Sequence, residues 1–285
     1  SVMWAWMNGD FVKADELRIS PFDHGFLYGL GFFETFRTYK GKPFLLEEHI
    51  ERLRKALDEF RIDVELDVDL LTATIVELNA RSGGEDGYFR LNVSAGAHDI
   101  GLAPSVYEKP TVILFRKTLP PLTRGKEKSA VWLKTRRNTP ESEHRYKSHH
   151  YANNVLARLE LPSLAEQEGF FLTEQGYVAE GITSNIFWVT DSILYTPALE
   201  TGILAGITRN TVKRIAESLG ILLVEGLFTP DKLEKADEVF VTNAIQELVP
   251  IQLLGSSRFD GKNGLVYMKL HEHYMNQVAQ TSKER

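Results

Sequence analysis

Between residues 119 and 126 the chain runs Leu119-Pro120-Pro121-Leu122-Thr123-Arg124-Gly125-Lys126, a polar, proline-bearing stretch with no hydrophobic period. On either side of it, segments with the two-residue alternation of strands take turns with segments at helical spacing. The interruption therefore reads as a linker over 119–126 joining two mixed α/β domains, residues 1–118 and 127–285. Two domains of this size suit a chain of 285 residues.

The first half opens with Asn8-Gly9 between Met3–Met7 and Phe11–Ala14, a strong hairpin signal. Gly41, between Phe32–Tyr39 and Lys42–Leu45, marks a second hairpin. Glu47–Phe60 places Ile50, Leu53, Leu57 and Phe60 on one helical face, and Leu70–Ala80 reads as a second helix. Strands follow at Tyr88–Ala95 and Thr111–Phe115. In the second half the pattern predicts strands at Ala130–Lys134, Gly169–Leu172, Ile186–Val189, Ile193–Tyr195, Leu222–Gly226 and Glu238–Thr242. Helices are expected at Tyr151–Leu161, Thr208–Leu219 and Pro230–Ala236, with a turn at Glu174–Gly176.

Composition narrows the function. There is no cysteine, which removes disulfides, zinc–thiolate and iron–sulfur sites and cysteine nucleophiles, and fits a cytoplasmic setting. A net charge of −6, spread along the chain, gains nothing from phosphate backbones, so nucleic acid is not an expected partner. No apolar run approaches the ~20 residues that cross a bilayer, and the opening SVMWAWMNGD lacks the basic and long apolar regions of a signal peptide. His149-His150 is a poor metal pair, because neighbours on a helix or strand point apart. No metal is expected. Gly29-x-Gly31 lacks the third glycine of a dinucleotide motif and reads as close packing.

Four segments carry the chemistry: His49-Ile50-Glu51-Arg52-Leu53, Arg145-Tyr146-Lys147-Ser148-His149-His150-Tyr151, Glu180-Gly181-Ile182-Thr183-Ser184-Asn185-Ile186-Phe187 and Gly202-Ile203-Leu204-Ala205-Gly206-Ile207-Thr208-Arg209. Singly each has an ordinary explanation: a helix charge, a surface lysine, a turn carboxylate, and a loop entering a helix with Thr208 as its cap. Jointly they supply what pyridoxal phosphate requires. Lysine alone offers an amine for its aldehyde. An acid can keep the pyridine nitrogen protonated. Free N–H groups at a helix start favour a phosphate, and an arginine adds a matching fork of donors.

The order Arg, Lys, Glu, then Gly-Ile-Thr-Arg resembles that of the fold-type IV pyridoxal-phosphate enzymes, the class IV aminotransferase family, over nearly the whole chain. The resemblance implies a two-domain D-amino acid aminotransferase-like α/β fold of the α+β type, with the cofactor lysine in the C-terminal domain. It also implies a homodimer acting on a small molecule. Position by position, it makes Lys147 the cofactor-bearing residue and Glu180 the partner of the pyridine nitrogen. Arg52, Ile207, Thr208 and Ala244 match the phosphate cup, and Leu204 the residue packed on one ring face. Leu27-Tyr28-Gly29-Leu30-Gly31-Phe32-Phe33-Glu34 resembles the family's glycine-rich sheet start.

Within the family, D-amino acid aminotransferases carry a tyrosine where Phe26 stands and an Arg-x-His where this chain reads Ala97-His98-Asp99. The Gly-Thr-Ala-Ala of branched-chain aminotransferases is replaced by Val241-Thr242-Asn243-Ala244. Ser20-Pro21-Phe22-Asp23-His24-Gly25-Phe26-Leu27-Tyr28-Gly29, Arg136-Arg137-Asn138-Thr139-Pro140-Glu141 and Lys147-Ser148-His149-His150-Tyr151 are similar to aminodeoxychorismate lyases of folate biosynthesis. Those enzymes convert 4-amino-4-deoxychorismate to 4-aminobenzoate and pyruvate. The alternative implied is an aminotransferase of D- or branched-chain amino acids. Some of the lyases have a threonine at the position of Phe26, so here leaving-group protonation falls to Lys147 or water. Phe26, Tyr28, Arg90 and Arg137 are the expected substrate contacts, the two arginines for its carboxylates.

Overall fold

The computed structural model describes residues 2–121 and 124–283. Leu122 and Thr123 of the expected linker lie outside the described residues. Two units emerge from the contacts: the chain up to Pro120 with Tyr146–His150 and the tail from Val278, and Pro121–Arg145 with Tyr151–Gln277. Lys147 thus clusters with the first unit, although the sequence around it belongs to the second.

The first unit holds strands β1 (Trp4–Met7) and β2 (Asp10–Lys13), helix α1 (His24–Tyr28), strands β3 (Gly31–Tyr39) and β4 (Lys42–Pro43), helices α2 (Leu46–Glu59) and α3 (Val68–Ala80), and strands β5 (Gly87–Ser94) and β6 (Thr111–Thr118). They form one antiparallel sheet in the order β2-β1-β6-β5-β3-β4. Both hairpins turn through paired positive φ angles, 48° and 98° at Asn8-Gly9 and 49° and 83° at Lys40-Gly41. That geometry matches the strand twist, and glycine carries the larger positive angle. One face of the sheet presents Phe32, Phe36, Phe89, Leu91 and Val93 to Ile50, Leu53 and Leu57 of α2 and Leu71, Ile75 and Leu78 of α3, all buried. Asp67 sets the start of α3 two residues before the expected Leu70, because its carboxylate accepts the N–H groups of Asp69 and Leu70 at 2.9 and 3.1 Å.

The second unit contains β7 (Lys128–Trp132), α4 (Ala152–Arg158), β8 (Gln167–Leu172), β9 (Val178–Gly181), β10 (Asn185–Thr190), β11 (Ile193–Pro197), α5 (Ile207–Ser218), β12 (Leu223–Gly226), α6 (Pro230–Glu234), β13 (Glu238–Asn243), β14 (Glu247–Leu254), β15 (Ser257–Arg258) and the part of α7 (Leu265–Lys283) before Val278. Its mixed sheet runs β12-β11-β10-β13-β14-β7-β8-β9, with β15 on β14. A core of Phe170, Val178, Ile186, Trp188, Val239, Val241, Val249 and Ile251 fills it.

The elements α1, β9, β14, β15 and α7 went unforeseen. β9 has only four residues, all buried, so it shows no alternation. Pro250 lies inside β14, paired with Phe240, and a proline in an apolar run argues against a central strand. α7 did carry a signal, since Tyr267, Leu270, Tyr274 and Val278 are buried at helical spacing.

Candidate active site

In the first unit, residues 147–149 lie extended along the start of β3. The Phe33 N–H donates to the Lys147 carbonyl, and the His149 N–H to the Gly31 carbonyl, each at 3.0 Å. Gly31 permits this approach: a Cβ there would stand 2.2 Å from the His149 ring. The neighbouring Gly29 ends α1 in the left-handed conformation, φ 67°. Lys147 Nζ lies 4.7 Å from the centre of the Phe33 ring, and the Arg90 guanidinium 3.7 Å from it. Arg90 also donates through Nε and Nη2 to Asn92 Oδ1, at 3.1 and 2.9 Å, and the same oxygen lies 2.9 Å from His149 Nε2. Burial, with Arg90 nearby, pushes His149 down to about 4.

Arg52 comes from the polar edge of α2 and is anchored by a buried carboxylate on β3. Glu34, 1% exposed, accepts Arg52 Nε at 2.9 Å, Arg52 Nη2 at 2.6 Å and His49 Nδ1 at 2.7 Å. Burial alone would raise the Glu34 pKa; the Arg52 charge and the His49 hydrogen bond outweigh it and hold the acid at about 2. Burial, aided by the charges of Arg52 and Lys147, lowers His49, so its contact with Glu34 is a hydrogen bond from a neutral ring. Glu34 and His49 stand inside segments singled out from the sequence, yet neither was given a role there. The signal was the i, i+3 spacing of His49 and Arg52, which puts both on one side of a helix.

Phe26 and Tyr28 sit on α1. Phe26 is 67% exposed, while the Tyr28 hydroxyl accepts the Gly101 N–H at 2.6 Å.

In the second unit, Glu180 sits on β9 and is 3% exposed. Its Oε1 accepts the Leu204 N–H at 3.1 Å, and its Oε2 accepts Arg137 Nε at 2.8 Å, with Arg145 Nε 3.9 Å away. Arg137 was expected at a substrate carboxylate; it is found instead holding Glu180. Leu204 is braced from behind, its carbonyl accepting Asn185 Nδ2 at 3.0 Å. Helix α5 follows at once. Its N-cap is Gly206, not Thr208, and no side chain caps it. Thr208 is buried one residue inside the helix. A Cβ at Gly206 would meet Asn185 Oδ1 at 2.0 Å and displace the amide that holds the Leu204 carbonyl. Ala244 follows β13 in a turn closed by Asn243, whose Oδ1 accepts the N–H groups of Ile245 and Gln246 at 3.0 and 2.7 Å.

Within the second unit, these features suit the phosphate and the protonated ring of a heterocycle. The first turn of α5 keeps its N–H groups free of side-chain caps, a favourable place for an anion. Glu180 is a buried acid, the kind of group that can partner a protonated ring nitrogen. Among the described residues no group of His, Cys, Asp and Glu is arranged to hold a metal ion. No helix among them is long and apolar enough to cross a membrane.

Comparison with known proteins follows the same line. The chain is 40% identical over 282 residues to an aminodeoxychorismate lyase of Bacillus subtilis (strain 168), covering 98% of this chain and 96% of the relative. A branched-chain aminotransferase from Thermoproteus uzoniensis, solved with norvaline, superposes with a TM-score of 0.89 at 29% identity, covering 99% and 97%. A branched-chain amino acid aminotransferase of T.th., complexed with N-(5'-phosphopyridoxyl)-L-glutamate, gives 0.85 at 30% identity, covering 98% and 95%. The fold is therefore that of the fold-type IV enzymes. Residues 31–254 match the model of the class IV amino-transferases, and the chain belongs to that family, whose members use pyridoxal phosphate.

Proposed function

We propose that this protein is a pyridoxal-phosphate-dependent lyase that converts 4-amino-4-deoxychorismate to 4-aminobenzoate and pyruvate. The observation that carries this reading is the end-to-end likeness to the Bacillus subtilis lyase. Phe26 adds support: where D-amino acid aminotransferases carry a tyrosine, this chain exposes an aromatic face suited to a flat six-membered ring.

When bound, pyridoxal phosphate supplies an aldehyde that condenses with amines and a pyridine ring that withdraws electrons from the adjacent carbon. Lys147 would hold the aldehyde, and Glu180 a proton at the ring nitrogen. The first turn of α5 at Ile207 and Thr208, the Ala244 backbone and Arg52 would hold the phosphate. Leu204 would pack on one face of the ring. Glu34 keeps Arg52 in one orientation, which spares the ordering cost of a long side chain on binding.

In the reaction, the Lys147 amine, when not holding the cofactor, would take the proton from C4 of the substrate, and it would hold the cofactor again as 4-aminobenzoate leaves. The bond from the neighbouring carbon to the enolpyruvyl oxygen breaks, the oxygen leaving with the electron pair. The enolate released takes a proton at its methylene carbon to give pyruvate, and the six-membered ring becomes aromatic. Phe26 has no donor, so that proton comes from Lys147 or water. Arg90 and Tyr28 are the proposed substrate contacts in the first unit. The same reading carries a homodimer working in the cytoplasm.

The likeness to the Thermoproteus enzyme favours a second reading, an aminotransferase of branched-chain or D-amino acids. Two reactions separate them. Aminodeoxychorismate alone should give 4-aminobenzoate and pyruvate without any amino acceptor. L-Leucine or D-alanine with 2-oxoglutarate should give little glutamate. Fast glutamate formation with no 4-aminobenzoate would replace the lyase by the aminotransferase.

A further inference from the structure

Arg137 stands out because its guanidinium is committed inside the second unit. Its Nε donates to Glu180 Oε2 at 2.8 Å, and its Nη1 to Asn153 Oδ1 and Asn154 Oδ1 at 2.8 and 3.1 Å. Its plane lies over the Phe171 ring, 5.0 Å from the centre, and the residue is 7% exposed. Its backbone is fixed as well, the N–H donating to the Leu172 carbonyl at 2.8 Å. The two asparagines are themselves tied: Asn153 Nδ2 donates to the Arg136 carbonyl and Asn154 Nδ2 to the Ile182 carbonyl, at 2.8 and 2.7 Å.

The guanidinium of Arg137 is thus held at three acceptors of its own unit, one a buried acid and two neutral amides. We propose that Arg137 is a positioning residue that holds the Glu180 carboxylate in one rotamer, and that it acts on the reaction only through Glu180. The proposal rests on the reading of Glu180 as the partner of the cofactor's ring nitrogen.

A carboxylate offers about four lone-pair directions. Arg137 and the Leu204 N–H use one on each oxygen from fixed positions, and the remaining ones have set directions for a further donor. Arg145 supplies a second positive charge at 3.9 Å, but its Nε hydrogen bond goes to the Gly202 carbonyl at 2.5 Å. It therefore compensates charge without orienting the acid. Removal of Arg137 frees Glu180 to rotate and leaves its charge less compensated.

The test uses the holoenzyme reconstituted with pyridoxal phosphate, as wild type, Glu180→Gln, Arg137→Gln, Arg137→Lys and the double variant Glu180→Gln/Arg137→Gln. The visible absorption spectrum of bound cofactor, kcat and KM are read for each. Glu180→Gln should alter the spectrum; if it does not, the reading of Glu180 falls before Arg137 is at issue. Given that change, Arg137→Gln should move the spectrum in the same direction and lower kcat about ten- to a hundredfold, the scale of one charge-assisted hydrogen bond. Its KM should hardly move. The double variant should match Glu180→Gln alone in kcat, and lysine should restore part of both signals. A wild-type spectrum in Arg137→Gln, a rise confined to KM, or a double variant whose loss is the product of the single losses would overturn the proposal. Should Arg137→Gln fail to fold, Asn153→Ala loosens the same arginine. A smaller spectral change of the same sign supports the proposal, and an unchanged spectrum with raised KM refutes it.

Discussion

Glu34→Gln is the most searching perturbation of the first unit, because it replaces the buried acid by a neutral group of the same shape. In the folded protein Glu34 is held at about 2, against an ordinary value of 4.5. At about 1.4 kcal/mol per unit, this displacement corresponds to about 3 kcal/mol of stability. The sign follows from proton counting. Between pH 4.5 and about 2 the unfolded chain binds the proton and the folded one does not, so stability rises with pH across that window. The contribution is complete above the unfolded value and vanishes as pH falls through the folded one. Glutamine mimics the protonated acid, which means wild type and variant should differ by about 3 kcal/mol at neutral pH and converge as pH falls toward about 2. Urea unfolding of both apoproteins, at steps from about pH 7 down to about pH 3, measures the gap. A gap that stays constant over that range, or a variant as stable as wild type at neutral pH, would refute the assignment of an ionised Glu34 bridging Arg52 and His49.

The remaining groups of the first unit can be probed in the same way. Lys147→Ala should fold normally and lose turnover, and borohydride treatment of the wild-type holoenzyme should fix the cofactor to the peptide containing Lys147; labelling elsewhere removes that assignment. Arg52→Ala should raise the dissociation constant of pyridoxal phosphate about ten- to a hundredfold, read by equilibrium titration, with a smaller change for phosphate-free pyridoxal. His149 is held at about 4 against an ordinary 6.5, so the unfolded chain gains its proton first and stability falls as pH drops through that window. His149→Gln should flatten the wild-type slope between those pH values, and an unchanged slope would place the burial of this ring in error.

The elements that the sequence disclosed are those whose signal is local. Asn8-Gly9 and Lys40-Gly41 name their own turns, since a tight hairpin needs two positive φ angles in succession. Ile50, Leu53 and Leu57 declare the buried face of α2 by their spacing. β14, with Pro250 inside it, and β9, buried at every residue, showed neither alternation nor a clean boundary. Their strand character comes from neighbours in the sheet, not from their own pattern.

The same division runs through the site. The residue types, their order and the resemblance that they carry were all legible: Arg52, Lys147, Glu180 and the Gly206-Ile207-Thr208 entry to a helix. A short motif holds that information because lysine, glutamate and a helix start have chemistry of their own, whatever surrounds them. What each charge is paired with was not legible. Glu34 lies 18 residues before Arg52 and Arg137 lies 43 before Glu180, and nothing along the chain distinguishes these pairs from other acid–base combinations. Only folding brings the Lys147 stretch onto β3, turns the Arg137 fork inward to Glu180, and sets Glu34 beneath Arg52. The physical reason is that burial makes an unpaired charge cost several kcal/mol, so partners are chosen by which groups share a dry place in three dimensions.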